Sequence, residues 1–369
     1  MPTKPKIAYL MHVDWNWIKQ RPHFIYEGLT RHYPVDLFYI RKLNTNGRED
    51  IRNSRNNYSN SQVRTLYKLP LSGRFKWLRQ LERLINREAI DCLDEYDLIW
   101  ITSPLLLDFI PIERLKKKKV IYDCMDDFLG FYPGSKRVDR LKGLEINLIK
   151  QTDLLFASSQ FLKMKLEKTY GSYLNSLPIV INNGIKSDLL ESLSSNYWRK
   201  KNLQAQINIV YIGTIGEWID FDLILAVLDK IPRVVITMIG PVDIKTPTHE
   251  RLKFEGIVVH EQLPDFARRA DAFIVPFKIS DLIRAVDPVK VYEYICFQRP
   301  IFAIEYEEMK KFLPFIRMYS NTEELVKQIN LLVNNEVEMY TQSEATDFLE
   351  KNTWDMRIKD ITEHLHKIE

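Results

Sequence analysis

Short apolar runs alternate with amphipathic stretches along the whole chain. Lys6–Val13, Val35–Ile40, Leu98–Thr102, Val120–Asp123, Leu154–Ala157 and Pro178–Ile181 are short and mostly apolar, the pattern of strands covered on both faces. Between them, Arg21–Arg31, Val138–Lys150 and a stretch from Ser159 read as helices; Phe24, Ile25 and Leu29 share one side of the first. Strand and helix take turns, which predicts a parallel sheet with helices on both faces. Pro178–Ile181 closes on Asn182-Asn183-Gly184, a turn signal.

A polar stretch, Lys186–Gln206, then interrupts the alternation and reads as an interdomain connection. The pattern restarts at Ile207–Ile212. It predicts strands at Val234–Ile239, Ile257–His260, Ala272–Val275 and Ile301–Ile304, and helices at Phe221–Lys230, Asp265–Arg269, Pro288–Phe297 and Thr322–Val333. A last helix, Asn352–Ile368, carries Trp354, Ile358, Ile361 and Leu365 on one stripe. Two α/β domains in tandem are expected, residues 1–186 and 187–352, each of ~150–190 residues.

Composition narrows the function classes. The chain has 369 residues, 45% hydrophobic and 28% charged, which excludes a disordered protein. Lys and Arg number 53 against 49 Asp and Glu, a balance too mild to imply a nucleic-acid partner. Cys92, Cys124 and Cys296 lie far apart without CxxC spacing, which excludes a disulfide framework or a cysteine-built zinc site and suits a reducing compartment. The apolar run Ile7–Val13 is too short for a signal peptide, and no window approaches the ~20 apolar residues of a spanning helix. A cytoplasmic protein is expected. Peripheral attachment to the inner face of the cell membrane stays open through Arg64–Arg87, where seven basic residues interleave with Trp77, Leu78, Leu81, Leu84 and Ile85. Such a helix can lie on anionic lipid, or it can turn its apolar stripe to the core. Lys116–Lys119 reads as a solvated turn.

The segment richest in chemistry is Ala285–Ile304. Asp287 followed by Pro288 reads as an acidic N-cap and a proline at the first helical position. The helix start at Pro288 and Val289 leaves N–H groups unpaired, and Lys290 in the first turn adds an ammonium. Together they suit a diphosphate. Glu293, one turn on, can accept from sugar hydroxyls such as a ribose pair. Arg284, in the loop before the helix, is a candidate second phosphate cation. The plain alternative is an ordinary helix with a Lys–Glu pair worth ~0.2–0.5 kcal/mol. A second signal is Gly213-Thr214-Ile215-Gly216 at the end of a strand, in a chain with only 12 glycines. Glycines there suit close backbone approach to a ligand, or simply a tight turn.

Asp287-Pro288-Val289-Lys290-Val291-Tyr292-Glu293-Tyr294 resembles the donor-site motif of GT-B glycosyltransferases. More narrowly, the chain is similar to family-4-like bacterial enzymes of teichuronic-acid and exopolysaccharide synthesis. Trp15-Asn16-Trp17, Gln20-Arg21-Pro22-His23, Tyr122–Phe128, Gly213-Thr214-Ile215, Glu217-Trp218, Ala270-Asp271, Val275-Pro276-Phe277 and Asn352-Thr353-Trp354 support this in the same order along the chain. The resemblance implies two Rossmann-like domains with parallel sheets facing across a cleft, and a last helix (353–369) crossing back to the first domain. It implies a hexosyl transfer from a nucleotide-sugar donor, UDP- or GDP-linked, to a glycan or lipid-linked acceptor. The nucleotide sugar is a substrate, and neither cofactor nor metal is expected. By motif, Lys290 contacts the diphosphate, Glu293 the ribose, and the Gly213-Thr214 backbone faces the diphosphate. Asp126 and Asp127, after a strand, are candidates to activate or position the acceptor hydroxyl. Trp15, Trp17, Arg21 and His23 are candidates to hold acceptor sugars.

The chain also departs from the pattern. Family-4 enzymes usually carry two glutamates separated by seven residues; Glu293 fits the second, and Ala285 stands at the first. Glu217-Trp218 replaces the usual Arg and Lys pair, and Asp14-Trp15-Asn16-Trp17 the glycine-rich amino-terminal loop. The stereochemical outcome therefore stays open. Two rivals follow: a metal-dependent GT-A transferase using Asp123, Asp126 and Asp127, and a GT-B-like protein that binds nucleotide or glycan without turnover. A nucleotide-sugar epimerase on the same fold is a minor third.

Overall fold

The computed structural model describes residues 4–43, 62–191, 206–258 and 262–368. They form two compact units, Met1–Asn182 with Trp354–Glu369, and Asn183–Thr353.

The first unit is built on seven strands: β1 (Ile7–Met11), β2 (Val35–Lys42), β3 (Val63–Lys68), β4 (Leu98–Ile101), β5 (Lys119–Cys124), β6 (Leu154–Ala157) and β7 (Ile179–Val180). Their order is β3-β2-β1-β4-β5-β6-β7, with every pairing parallel. β1 and β4 are buried throughout, which explains their unbroken apolar sequences. On one face Tyr9, Trp100 and Phe156 form a stacked run, at 5.6 Å between successive centroids. The helix Trp354–Leu365 returns to this unit. Its Trp354, Ile358, Ile361 and Leu365 are buried in the same core as Ile25, Tyr26 and Leu29, and Trp354 stacks on Phe24 at 4.8 Å.

The second unit has six strands: β8 (Ile207–Ile212), β9 (Val234–Ile239), β10 (Leu252–Gly256), β11 (Ala272–Val275), β12 (Ile301–Ile304) and β13 (Arg317–Tyr319). They run β10-β9-β8-β11-β12-β13, again all parallel. In both sheets the order reverses beside the first strand of the unit, between β1 and β4 and between β8 and β11. Loops leaving the carboxyl ends at such a reversal flank the crevice where doubly wound sheets bind ligands.

Four expectations change. The strand expected at Ile257–His260 lies earlier, at Leu252–Gly256; Ile257 and Val258 are outside it, and residues 259 and 260 are outside the described residues. β10 is an edge strand covered on one face, so it tolerates Lys253 and Glu255 and hides from an apolar-run reading. Arg64–Lys68 belongs to β3, so the basic amphipathic helix is confined to Lys76–Ile85. Within the connection Lys186–Gln206, Ser187–Glu191 is helical and residues 192–205 lie outside the described residues. Finally, Pro288 and not Asp287 is the N-cap of the helix Val289–Cys296. The Asp287 carboxylate is turned inward. It accepts from the Asn183 amide at 2.6 Å and pairs with Lys311 at 2.8 Å, so it fastens a distant turn rather than the helix.

Candidate functional site

In the second unit the reversal point holds a lysine in an aromatic slot. β8 delivers Tyr211 and then Gly213; β11 leads into Phe277; the helix Val289–Cys296 brings Lys290 between them. The Lys290 ammonium donates to the Tyr211 hydroxyl at 2.9 Å and stands 4.4 Å from the Tyr211 ring centre and 4.8 Å from that of Phe277. Aromatic faces attract a cation but solvate it less well than water. Burial accordingly lowers the Lys290 pKa to about 7, with Glu293 on the same face pulling the other way. A lysine kept at the edge of neutrality gains from an anion that restores its charge.

Gly213 makes the slot possible. Its φ is +143°, and a Cβ there would lie 2.9 Å from Lys290 Nζ. At the end of β9, Gly240 has φ +138°, and a Cβ on it would come within 2.3 Å of the Gly213 carbonyl oxygen. The two strand ends thus press backbone to backbone, joined by a hydrogen bond from the Gly213 amide to Ile239 at 2.8 Å. Thr214 contributes its carbonyl, which accepts from the Tyr211 hydroxyl at 2.9 Å. The start of the helix at Pro288 and Val289 carries no side-chain cap, so its first N–H groups are not taken by a capping side chain. Glu293 is half-buried one turn beyond Lys290. Arg284 ends a short helix, Asp281–Arg284, and is exposed. Ala285 is fully buried, so the position where a first glutamate would stand is packed into the core.

In the first unit the carboxyl edge of the sheet gathers a different set. His12 follows β1 and meets Thr102, which follows β4: the His12 amide donates to the threonine hydroxyl at 3.0 Å, and ring Nδ1 lies 2.8 Å from the same oxygen. Burial lowers the His12 pKa to about 4, so the imidazole is neutral at ordinary pH. Past β5, Asp126 keeps partial exposure, but its surroundings desolvate the carboxyl and raise its pKa to about 7; Arg21 opposes the rise, and Asp127 and Asp123 add to it. Asp127 is buried and pairs with Lys165 at 2.8 Å.

Arg21 is buried as well. Its guanidinium grips the Asp123 carboxylate at 2.7–3.1 Å and donates to the Ile181 carbonyl at 2.7 Å. His23 is fully buried; Nδ1 accepts from the Gln20 amide at 3.1 Å, and the ring stacks on Trp15 at 5.3 Å. Trp15 and Trp17 are partly exposed beside an Asp14 turn, in which the Asn16 amide donates to the Asp14 carboxylate.

Sequence reading missed Tyr211, Phe277, His12 and Thr102 as members of these clusters. The available signal was position: each lies within two residues of the carboxyl end of a strand at a sheet reversal. Among the described residues no group of three or more His, Cys, Asp or Glu side chains is arranged to hold a metal ion, which leaves the Asp123–Asp127 segment without such a cluster.

The comparisons with known proteins fall in line with this architecture. No protein-family model matches the chain. It is 24% identical over 198 residues to the putative teichuronic acid biosynthesis glycosyltransferase TuaH of Bacillus subtilis (strain 168), a match spanning 50% of this chain and 49% of that protein. Among solved structures it is similar to sucrose-phosphate synthase of Thermosynechococcus elongatus, with a TM-score of 0.74 at 14% identity and 99% of each chain covered. HepE of Anabaena in complex with UDP-glucose gives 0.70 at 15% identity, covering 98% of this chain and 100% of that one. Trehalose-6-phosphate synthase OtsA gives 0.69 at 13% identity with both chains fully covered. The fold is that of the GT-B proteins: two parallel-sheet α/β units, of seven and six strands among the described residues.

Proposed function

We propose that the chain is a glycosyltransferase that moves a sugar from a nucleotide-diphosphate donor, UDP- or GDP-linked, to a glycan or lipid-linked acceptor of the cell surface. The observation that carries this reading is Lys290, held in its slot at a helix start beside the reversal of the second sheet. HepE, similar in fold, was solved with UDP-glucose, which supports a uridine donor as the first to test.

In this reading the diphosphate lies against the Gly213-Thr214 backbone and the first N–H groups of the helix, and Glu293 takes the ribose hydroxyls. Glycosyl transfer runs through an oxocarbenium-like state while negative charge builds on the departing diphosphate. Lys290 and the helix start stabilise that charge, and Arg284 adds a second cation from the exposed end of its short helix. No metal takes part. On the first unit, Asp126 takes or steers the acceptor hydroxyl proton, since a carboxyl with a pKa near 7 is matched to that task. Trp15 and Trp17 offer flat faces for acceptor sugars.

Isothermal titration with UDP, GDP and their sugar conjugates, followed by a transfer assay in EDTA, tests the reading. Saturable binding that is lost in Lys290→Ala, with turnover surviving the chelator, is expected. Turnover that EDTA abolishes and a divalent cation restores would refute metal-free transfer. A second reading, binding without turnover, rests on Ala285: a buried methyl stands where a first glutamate is usual. Tight nucleotide binding with no transfer from any donor would favour it.

A further inference from the structure

The helix Lys76–Ile85 is built inside out. Its inward side is polar. Glu82 is fully buried, and its carboxylate accepts from the Leu69 amide at 2.7 Å. Asn86, just past the helix, brackets Tyr67 of β3, accepting from its amide at 2.8 Å and donating to its carbonyl at 3.0 Å. Arg79 donates to the Ser72 carbonyl, and Arg83 to the carbonyls of Leu107 and Asp108, all at about 3 Å. Where a helix of a water-soluble domain normally lays its apolar stripe on the core, this one makes hydrogen bonds.

The apolar stripe faces outward instead. Trp77 is 61% exposed, Leu84 64%, Ile85 48% and Leu81 39%, and the turn before the helix adds Leu71 and Phe75. The helix cannot roll these residues inward without breaking the Glu82, Asn86 and Arg83 bonds, so their exposure is fixed by the fold. The surround is basic. Arg74 and Lys76 are exposed, and from Arg64 to Arg87 the sole acidic residue is Glu82, which is turned inward; Arg87 itself pairs with Asp91 at 3.2 Å.

We propose that this face docks on an anionic phospholipid bilayer. The helix lies in the interfacial plane, Phe75, Trp77, Leu81, Leu84 and Ile85 enter the acyl boundary, and Arg74 and Lys76 meet headgroup phosphates. Charge complementarity selects this occupant: exposed cations border an exposed apolar stripe with no exposed acid from Arg64 to Arg87, the arrangement that an anionic bilayer attracts and buries. Among the described residues no helix is long and apolar enough to cross a membrane. β3 leads into the turn at 69–75 on the same sheet edge that carries His12, Thr102 and Asp126. If the transferase reading holds, on which this last step rests, a lipid-linked acceptor would be met by the edge of the sheet nearest its membrane.

Co-sedimentation of the full chain with vesicles tests the proposal, using phosphatidylcholine alone or mixed with phosphatidylglycerol, at low and high salt. Binding only to the anionic vesicles, weakening with salt, is expected. The double substitution Trp77→Ser with Leu84→Ser should cut partitioning about tenfold or more, and Arg74→Gln with Lys76→Gln should weaken it most at low salt. These side chains are exposed, so folding persists, and an unchanged melting temperature checks it. Wild-type protein remaining in the supernatant, or an apolar double variant that binds as well, overturns the proposal. So does a wild-type dimer in sedimentation velocity that the same double variant dissolves, because the face would then be a self-association surface. Nucleotide titration on the same variants is independent of lipid, so a failure here is distinguishable from a failure of the transferase reading.

Discussion

The Lys290 ammonium and the Tyr211 hydroxyl lie 2.9 Å apart, and the direction of that bond is set. The hydroxyl spends its only proton on the Thr214 carbonyl, so it must accept from the lysine. Tyr211 therefore aims Lys290 as well as desolvating it. Removing the charge, Lys290→Ala, should lower turnover ~10²–10³-fold, the scale of losing one transition-state donor. Tyr211→Phe keeps the ring but frees the ammonium, and should weaken nucleotide-sugar binding about tenfold. Titration calorimetry and initial rates measure both. Wild-type rates in Lys290→Ala would remove this lysine from the chemistry.

Burial sets the Lys290 pKa near 7 in the free protein. In the proposed reading a bound diphosphate restores the charged form and moves the pKa back up. Binding must then take up a proton above pH 7, and affinity should fall by about tenfold per pH unit until the bound-state pKa is reached. The sign for stability is the opposite of a salt-bridged lysine: the folded chain binds fewer protons than the unfolded one between about 7 and 10.5, so this group's share of stability rises with pH there. A nucleotide sugar is the right probe, because its diester diphosphate does not titrate in this window. Calorimetry in buffers of different ionisation enthalpy reads the proton directly; zero uptake at pH 8 would contradict the slot.

Gly213 and Gly240 define the end of the β8–β9 pair. Gly213→Ala forces a methyl to 2.9 Å from Lys290 Nζ at a φ of +143°, and the lysine tip can yield. Gly240→Ala meets backbone, the Gly213 oxygen at 2.3 Å, and nothing there can yield cheaply. Gly240→Ala should therefore cost more stability, with each in the range of ~1–3 kcal/mol, while Gly213→Ala should cost more nucleotide affinity. Urea melts and nucleotide titrations of the two variants separate the effects; the reverse ranking would be inconsistent with this geometry.

Much of this architecture is legible in the sequence because parallel strands buried on both faces are near-unbroken apolar runs. β1, β8, β9, β11 and β12 announce themselves that way. Edge strands do not. β3 (Val63–Lys68) and β10 mix charged and apolar residues because one side meets solvent. The candidate site of the second unit was legible as far as one helix and one glycine turn, since Lys290 and Gly213 are local features. Its walls, Tyr211 and Phe277, come from strands far apart in the chain, and no periodicity announces such a meeting. Asp287 illustrates the same limit: local pattern made it a cap, and Asn183 and Lys311, distant in sequence, claimed it. The helix Lys76–Ile85 shows that amphipathicity gives a stripe but not its direction, which Glu82 and Asn86 decide through hydrogen bonds.

In the first unit, Arg21 and Asp123 form a buried pair, 3% and 0% exposed. Breaking it by Arg21→Met strands a carboxylate in the core and should cost ~3–5 kcal/mol. Adding Asp123→Leu removes the stranded charge, so the double variant should recover part of that loss. Arg21→Lys cannot reproduce the fork that also reaches Ile181, and should fall between. Chemical denaturation of the wild type, Arg21→Met, Asp123→Leu and the double variant gives the cycle. A double variant as unstable as the two losses summed would mean that the pair has no coupling.

Asp126 and Asp127 are neighbours with different commitments, and substitution should tell them apart. Asp127 is paired with Lys165, so Asp127→Asn acts first on stability. Asp126 keeps partial exposure and a pKa raised to about 7 by desolvation. If it takes the acceptor proton, it must be ionised first, so kcat/KM should climb as pH rises through about 7. Lys290 must be charged in the free protein, which adds a falling limb above the same region and yields a bell centred near neutrality. Asp126→Asn should lower the rate ~10²–10⁴-fold and erase the rising limb while leaving the falling one. Asp127→Asn should keep both limbs and melt at lower temperature. A rising limb that persists in Asp126→Asn assigns the proton to another group, and the neutral His12 beside Thr102, with a pKa near 4, would place that limb roughly three pH units lower.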